Sequence, residues 1–173
     1  MSRVLVVSIV LSQLFGCAIG NKQDYRQAVL SLGNVGHPKI SVGVQDLRPD
    51  VVSGSEDEDY LGMQRAGFGN PYDVSTLSKR PLADEMSSVL VKGLRDSGAN
   101  AQSIRLAPSL SKDQVTSSLK AAKPDKMLLL TLMDWESDTY VSTDLRYDAE
   151  MQVCVFHAHS AIDSMTIRPP IPR

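Results

Sequence analysis

Histidine and excess positive charge are both scarce in this sequence, and each scarcity removes a class of function. Only three histidines occur, His37, His157 and His159, and all lie outside the patterned middle of the chain. A serine–histidine hydrolase would need distant parts of the chain to meet, and no G-x-S-x-G elbow is present to hold a nucleophile. Ser97, beside Gly98, reads as a helix end. The 18 Lys and Arg against 20 Asp and Glu lack the basic footprint of a nucleic-acid binder. Gly62, Gly67 and Gly69 do not follow a strand and open a helix, so they fail the context of a phosphate-binding loop. The acidic run Glu56-Asp57-Glu58-Asp59 lacks the spaced ligands and central glycine of a calcium loop. His157 and His159 share one side of an extended chain without a third ligand at a suitable spacing. No catalytic, cofactor-binding or metal-binding residues are therefore expected, and the chain is expected not to be an enzyme.

Long hydrophobic runs are missing as well. The apolar stretch from Val4 to Leu11 breaks at Ser12-Gln13, short of the ~18 residues that span a bilayer as a helix. Preceded by Met1-Ser2-Arg3, it has the order of a secretory signal, so residues 1–16 are read as a cleaved leader. Leu14-Phe15-Gly16-Cys17 then resembles the lipobox at which bacterial signal peptides are cut and the cysteine acylated. The resemblance implies a lipidated Cys17 carrying three acyl chains, at about 0.8 kcal/mol of membrane affinity per buried methylene. Ala18, rather than Asp, follows it, which in enteric-type sorting favours the outer membrane. Loss of residues 1–16 removes Arg3 and moves the formal charge from 18 − 20 = −2 to 17 − 20 = −3. Cysteine occurs only twice, so Cys154 is left without an intrachain partner; within an apolar strand pattern it is expected to pack as a small hydrophobe.

The segment 17–38, with Gly20, Gly33, Gly36 and Pro38 among polar residues, is read as lipidated N-terminus and tether. Alternation of Ile40, Val42 and Val44 predicts the first strand of a domain over 39–156. The acidic and glycine-rich stretch 50–70 predicts a long loop with one short strand near Tyr60–Gln64. Pro81 is placed for the first turn of a helix whose apolar face is Leu82, Met86, Val89, Leu90 and Leu94, stopped by Gly98. After a strand at Ala101–Leu106, Ser111 and Gln114 make a capping box and Leu110 a staple onto Val115, predicting a helix from Lys112 to about Ala122. Met127 to Met133 is apolar on both alternating faces, as in a central strand. Leu145, Tyr147, Ala149, Met151, Val153 and Val155 alternate with polar residues as in a long strand with one wet face, joined to its predecessor as a hairpin. The fold class is thus α/β: a single small domain with a mixed sheet, two crossover helices and a C-terminal antiparallel hairpin.

In the lipobox, the Asp46-Leu47-Arg48 end of the first strand, the helix from Leu82 to Gly98 and the segment Leu145-Arg146-Tyr147-Asp148-Ala149-Glu150-Met151, the chain resembles the YajG-like family of bacterial lipoproteins over most of residues 39–156. The resemblance implies export, lipidation and this α/β fold, and carries no catalytic residues with it. The end departs from the family, which adds a further strand and a helix. After Phe156 come His157-Ala158-His159 and a proline-rich terminus, so 157–173 is read as an irregular tail that leaves one flank of the long strand uncovered. The expected function is that of a lipid-anchored envelope component facing the periplasm, binding or assembling with other envelope proteins or itself, with no nucleic-acid partner. The alternative is a periplasmic small-ligand or metal-binding module.

Overall fold

The computed structural model describes residues 22–66, 68–140, 144–157 and 160–167. Cys17 and the leader lie outside the described residues, as does His159. The elements are β1 (Lys22–Gln23), a 3-10 turn (Tyr25–Gln27), β2 (Lys39–Asp46), α1 (Pro49–Ser53), β3 (Tyr60–Arg65), β4 (Pro71–Thr76), α2 (Leu82–Asp96), β5 (Asn100–Arg105), α3 (Lys112–Lys120), β6 (Lys126–Tyr140), β7 (Asp144–His157) and β8 (Ser160–Ile167). The strands form one mixed sheet in a single α/β domain, as the apolar patterning predicts.

β6 is the spine of that sheet. One of its edges pairs along its whole length with antiparallel β7. The other is shared end to end: β2 pairs parallel with Lys126–Leu132, and β3 pairs parallel with Ser137–Tyr140. β5 lies parallel outside β2, β4 antiparallel outside β3, and β1 parallel outside β4. The two crossovers place α2 and α3 on opposite faces, and strand alternation shows why both can be apolar. Ile40, Val42 and Val44 join Leu82, Val91 and Leu94 of α2, together with Leu128, Leu130 and Leu132 of β6. Gly43, pointing the other way, lets Leu106 and Leu119 come so close that a Cβ there would lie 2.6 Å from Leu106. Val115 and Leu119 of α3 close that side over Met127 and Leu129.

The helix ends obey local chemistry. Ser111 and Gln114 form the reciprocal capping box, with Leu110 packed at the Val115 cluster. Pro81 sits one residue earlier than expected, as the N-cap of α2. At the other end Gly98 has φ +102°, its N–H bonds the Arg95 carbonyl and the Ala99 N–H bonds that of Leu94, the double closure of a Schellman motif.

Three expectations are corrected. The strand expected near Tyr60–Gln64 is β3, but the stretch read as loop also holds most of α1, and it turns into a strand not foreseen, β4, in which Val74 and Thr76 are buried. The expected tether is held to the domain from Lys22 onward. The tail read as irregular contains β8, whose pairing with β7 from Met151 to His157 covers the flank expected to be bare there. Alternation in Ser160–Ile167 is weak, so backbone pairing rather than a strong apolar face makes this a strand. Among the described residues no helix is long and apolar enough to cross a membrane.

Candidate functional site

The N-terminal strap, residues 22–38, is built from short, local devices. Asp24 caps the 3-10 turn by accepting from the Arg26 N–H at 3.1 Å and pairs with the Arg26 guanidinium at 2.8 Å. That turn aims Tyr25 into the core edge, where its ring meets Trp135 edge-on at 6.1 Å and its hydroxyl accepts from the indole N–H at 3.4 Å. Burial pushes the Tyr25 phenol up from its ordinary pKa, and the Glu85 carboxylate adds to this. Leu30 then lies against Gly93, where a Cβ would stand 2.8 Å from the Leu30 Cβ and 2.9 Å from its carbonyl oxygen. The Val35 N–H donates to the Ser97 carbonyl at 3.2 Å, and the Leu77 N–H donates to the Gln23 carbonyl at 2.8 Å. The strap therefore runs from the β4 edge of the sheet along α2 to the start of β5.

This path brings His37 and Ser97 to one corner, a meeting that the sequence pattern did not anticipate. Neither is poised for nucleophilic chemistry. The Ser97 hydroxyl donates to the Gly93 carbonyl at 2.8 Å and the Leu32 carbonyl at 3.2 Å, while His37 Nδ1 lies 3.0 Å from the Gly98 carbonyl. Nucleophile and imidazole each satisfy backbone carbonyls instead of each other.

Two buried polar clusters were not singled out from the sequence as sites. In the first, Arg48, 4% exposed, binds the Asp46 carboxylate through Nη2 at 2.7 Å and donates to the Tyr60 carbonyl at 2.6 Å and the Trp135 carbonyl at 3.5 Å. Trp135 lies in the stretch of β6 between the segments paired to β2 and β3, with β7 on its other edge, so the guanidinium sits at the junction where β2 and β3 share that edge. In the second, Glu85, 1% exposed, accepts from the Ser78 hydroxyl through Oε1. These are framework contacts: each ties a loop to the core.

The remaining candidates are accounted for similarly. Asp59 in the acidic run pairs with Lys79 at 3.0 Å. The clustered charges there act on their neighbours: burial and then Asp73 raise Glu56, and the Tyr60 phenol is pushed up to about 12 by burial and then by Glu136 and Glu56. Among the described residues no group of three or more His, Cys, Asp or Glu is arranged to hold a metal ion. Cys154 is a half-buried free thiol on β7. An open groove of about 340 Å³ between α2 and β5 is lined by Ser88, Val91, Lys92, Arg95, Asp96 and Ser103. Its charges are engaged, Lys92 with Asp96 at 2.7 Å and Arg95 with the Ala101 carbonyl at 2.7 Å.

No family model and no curated protein sequence matches the chain. Among solved structures, it is similar to XCC0632, a Xanthomonas campestris protein of the DUF330 family, at 15% identity and a TM-score of 0.45, over 86% of this chain and 78% of that one. That likeness is too distant to carry a function from one chain to the other.

Proposed function

We propose that this chain is an exported, non-catalytic envelope lipoprotein of YajG-like type, held to a membrane through acylated Cys17, whose folded domain binds or assembles with other envelope components on the periplasmic side. The observation that carries this reading is Leu14-Phe15-Gly16-Cys17 placed directly after a basic start and an apolar run too short to span a bilayer. Ala18 supports the outer membrane as its destination. The docked strap adds a mechanical consequence. Only residues 18–21 separate Cys17 from Lys22 at the start of β1, so five steps of about 3.3–3.6 Å hold that start within about 18 Å of the anchor. Such a protein meets its partners close to the lipid surface. The commitment of Ser97 and His37 to backbone carbonyls supports a binding rather than a catalytic role.

The test is Cys17→Ser in the full chain expressed in a bacterial host. Fatty-acid labelling and sedimentation with membranes should both be lost, and mass spectrometry of the wild-type mature N-terminus should show an acylated cysteine. A Cys17→Ser protein that still labels with fatty acid and stays with membranes overturns the reading.

A further inference from the structure

We propose that the turn joining β3 to β4 is a second membrane contact, with Phe68 entering the lipid surface beside the acyl chains of Cys17; this rests on the anchoring proposed above. Phe68 is 98% exposed, the most exposed large apolar side chain among the described residues. It stands at the tip of a closed turn, in which the Ala66 N–H bonds the Asn70 carbonyl at 3.0 Å and the Gly69 N–H bonds the Ala66 carbonyl at 2.7 Å. A phenyl ring held in water forgoes the free energy of burial, and a bilayer surface offers that burial without a shaped pocket.

Strand direction places this tip at the end of the sheet from which the chain enters β1. β1 runs parallel to β4 with Lys22 opposite Ser75, so the chain enters β1 from the Pro71 end of β4, the end that carries the turn. Four strand residues from Ser75 back to Pro71 cover roughly 13 Å, and the five residues 18–22 span roughly 17 Å if extended. That length is sufficient for Cys17 to reach the level of the turn. The nearest charged pair compensates itself, Arg65 lying 3.4 Å from Asp138. Pro38, Asn100 and Asp125 lie at the opposite end of the sheet from the entry into β1.

The experiment uses the full acylated protein reconstituted into vesicles of phosphatidylethanolamine and phosphatidylglycerol, part of whose acyl chains are brominated. Tryptophan is introduced as Phe68→Trp or, as control, Val29→Trp. Val29 is 81% exposed and adjoins Leu30, which packs on Gly93 in the later turns of α2, far from the β3–β4 turn. The signal of Trp135, common to all forms, is subtracted using the parent protein. The expected result is a blue shift and loss of emission for Phe68→Trp on brominated vesicles, and neither for Val29→Trp. Equal quenching of both, quenching of neither, or a blue shift of Phe68→Trp without quenching by brominated lipid overturns the proposal. Mass spectrometry of each preparation separates the two failures: an acylated Cys17 without Phe68 quenching sinks the membrane contact alone, whereas an unacylated Cys17 sinks the anchoring reading beneath it.

Discussion

At the scale of single residues, the demanding chemistry of this fold is at Asp46 and Arg48. Two opposite charges leave water together at the end of β2, which costs solvation that their 2.7 Å contact only partly returns. The guanidinium has further work, because β2 and β3 occupy the same edge of β6 with a gap between them, and it reaches the carbonyls of Tyr60 and Trp135 beside that gap. Arg48→Met should therefore cost about 3–5 kcal/mol in urea denaturation, since it leaves the Asp46 carboxylate buried without its partner. The double variant Asp46→Asn/Arg48→Met should recover only part of that loss, because the Tyr60 carbonyl still loses the donor that Arg48 supplies at 2.6 Å. Full recovery in the double variant would show that the ion pair alone matters. Gly62 belongs to the same junction. Its φ of +129° and the Ser137 backbone directly over its missing Cβ leave no room for a side chain where β3 joins β6.

At the scale of elements, α2, α3 and the long strands were legible because each carries its own signal. Ser111 and Gln114 announce α3, Gly98 ends α2, and the two-sided apolar pattern from Met127 marks a strand with a helix layer on both faces. The start of β4 was not legible. Pro71 and Asp73 read as turn residues, and only pairing with β3 makes this segment extended, with Val74 and Thr76 turned inward. Nor was the docking of residues 22–38, since glycines and polar residues resemble a linker until a partner surface exists. That surface depends on Gly93, the small residue that lets Leu30 lie against α2. Gly93→Ala isolates the contact. The helix gains up to about 1 kcal/mol of propensity, while the strap is pushed off by a methyl 2.8 Å from Leu30. The domain should melt no earlier than wild type, yet trypsin should cut after the Arg26 of the strap several times faster. Unchanged cleavage would mean that the strap is held by its other contacts, at Tyr25, Val35 and His37.

At the scale of the whole molecule, a mixed sheet built on one long strand must dispose of its edges, and the C-terminus does so in part. The apolar pattern stops at Phe156 because Pro169, Pro170 and Pro172 cannot donate to a ladder, and because Ser160–Ile167 shows no strong alternation of apolar and polar residues. Yet Ser160–Ile167 pairs with Met151–His157, so the outer edge of β7 is covered along that half. The candidate site was readable only as the lipobox, since strap, corner and turn arise from contacts between segments that no local pattern reports. The consequence of β8 is a stability effect of the terminal segment. Removing residues 160–173 should expose the N–H and C=O groups of β7 from Met151 to His157, lower the melting temperature, and create an edge that recruits a second copy. A loss of 1 kcal/mol corresponds to roughly 2–4 °C for a chain of this size. A drop of several degrees together with concentration-dependent dimers in size-exclusion chromatography is therefore the expected outcome. A truncated protein that melts with the parent and stays monomeric at high concentration would show that β8 contributes nothing to holding β7 and that the edge is protected by other means.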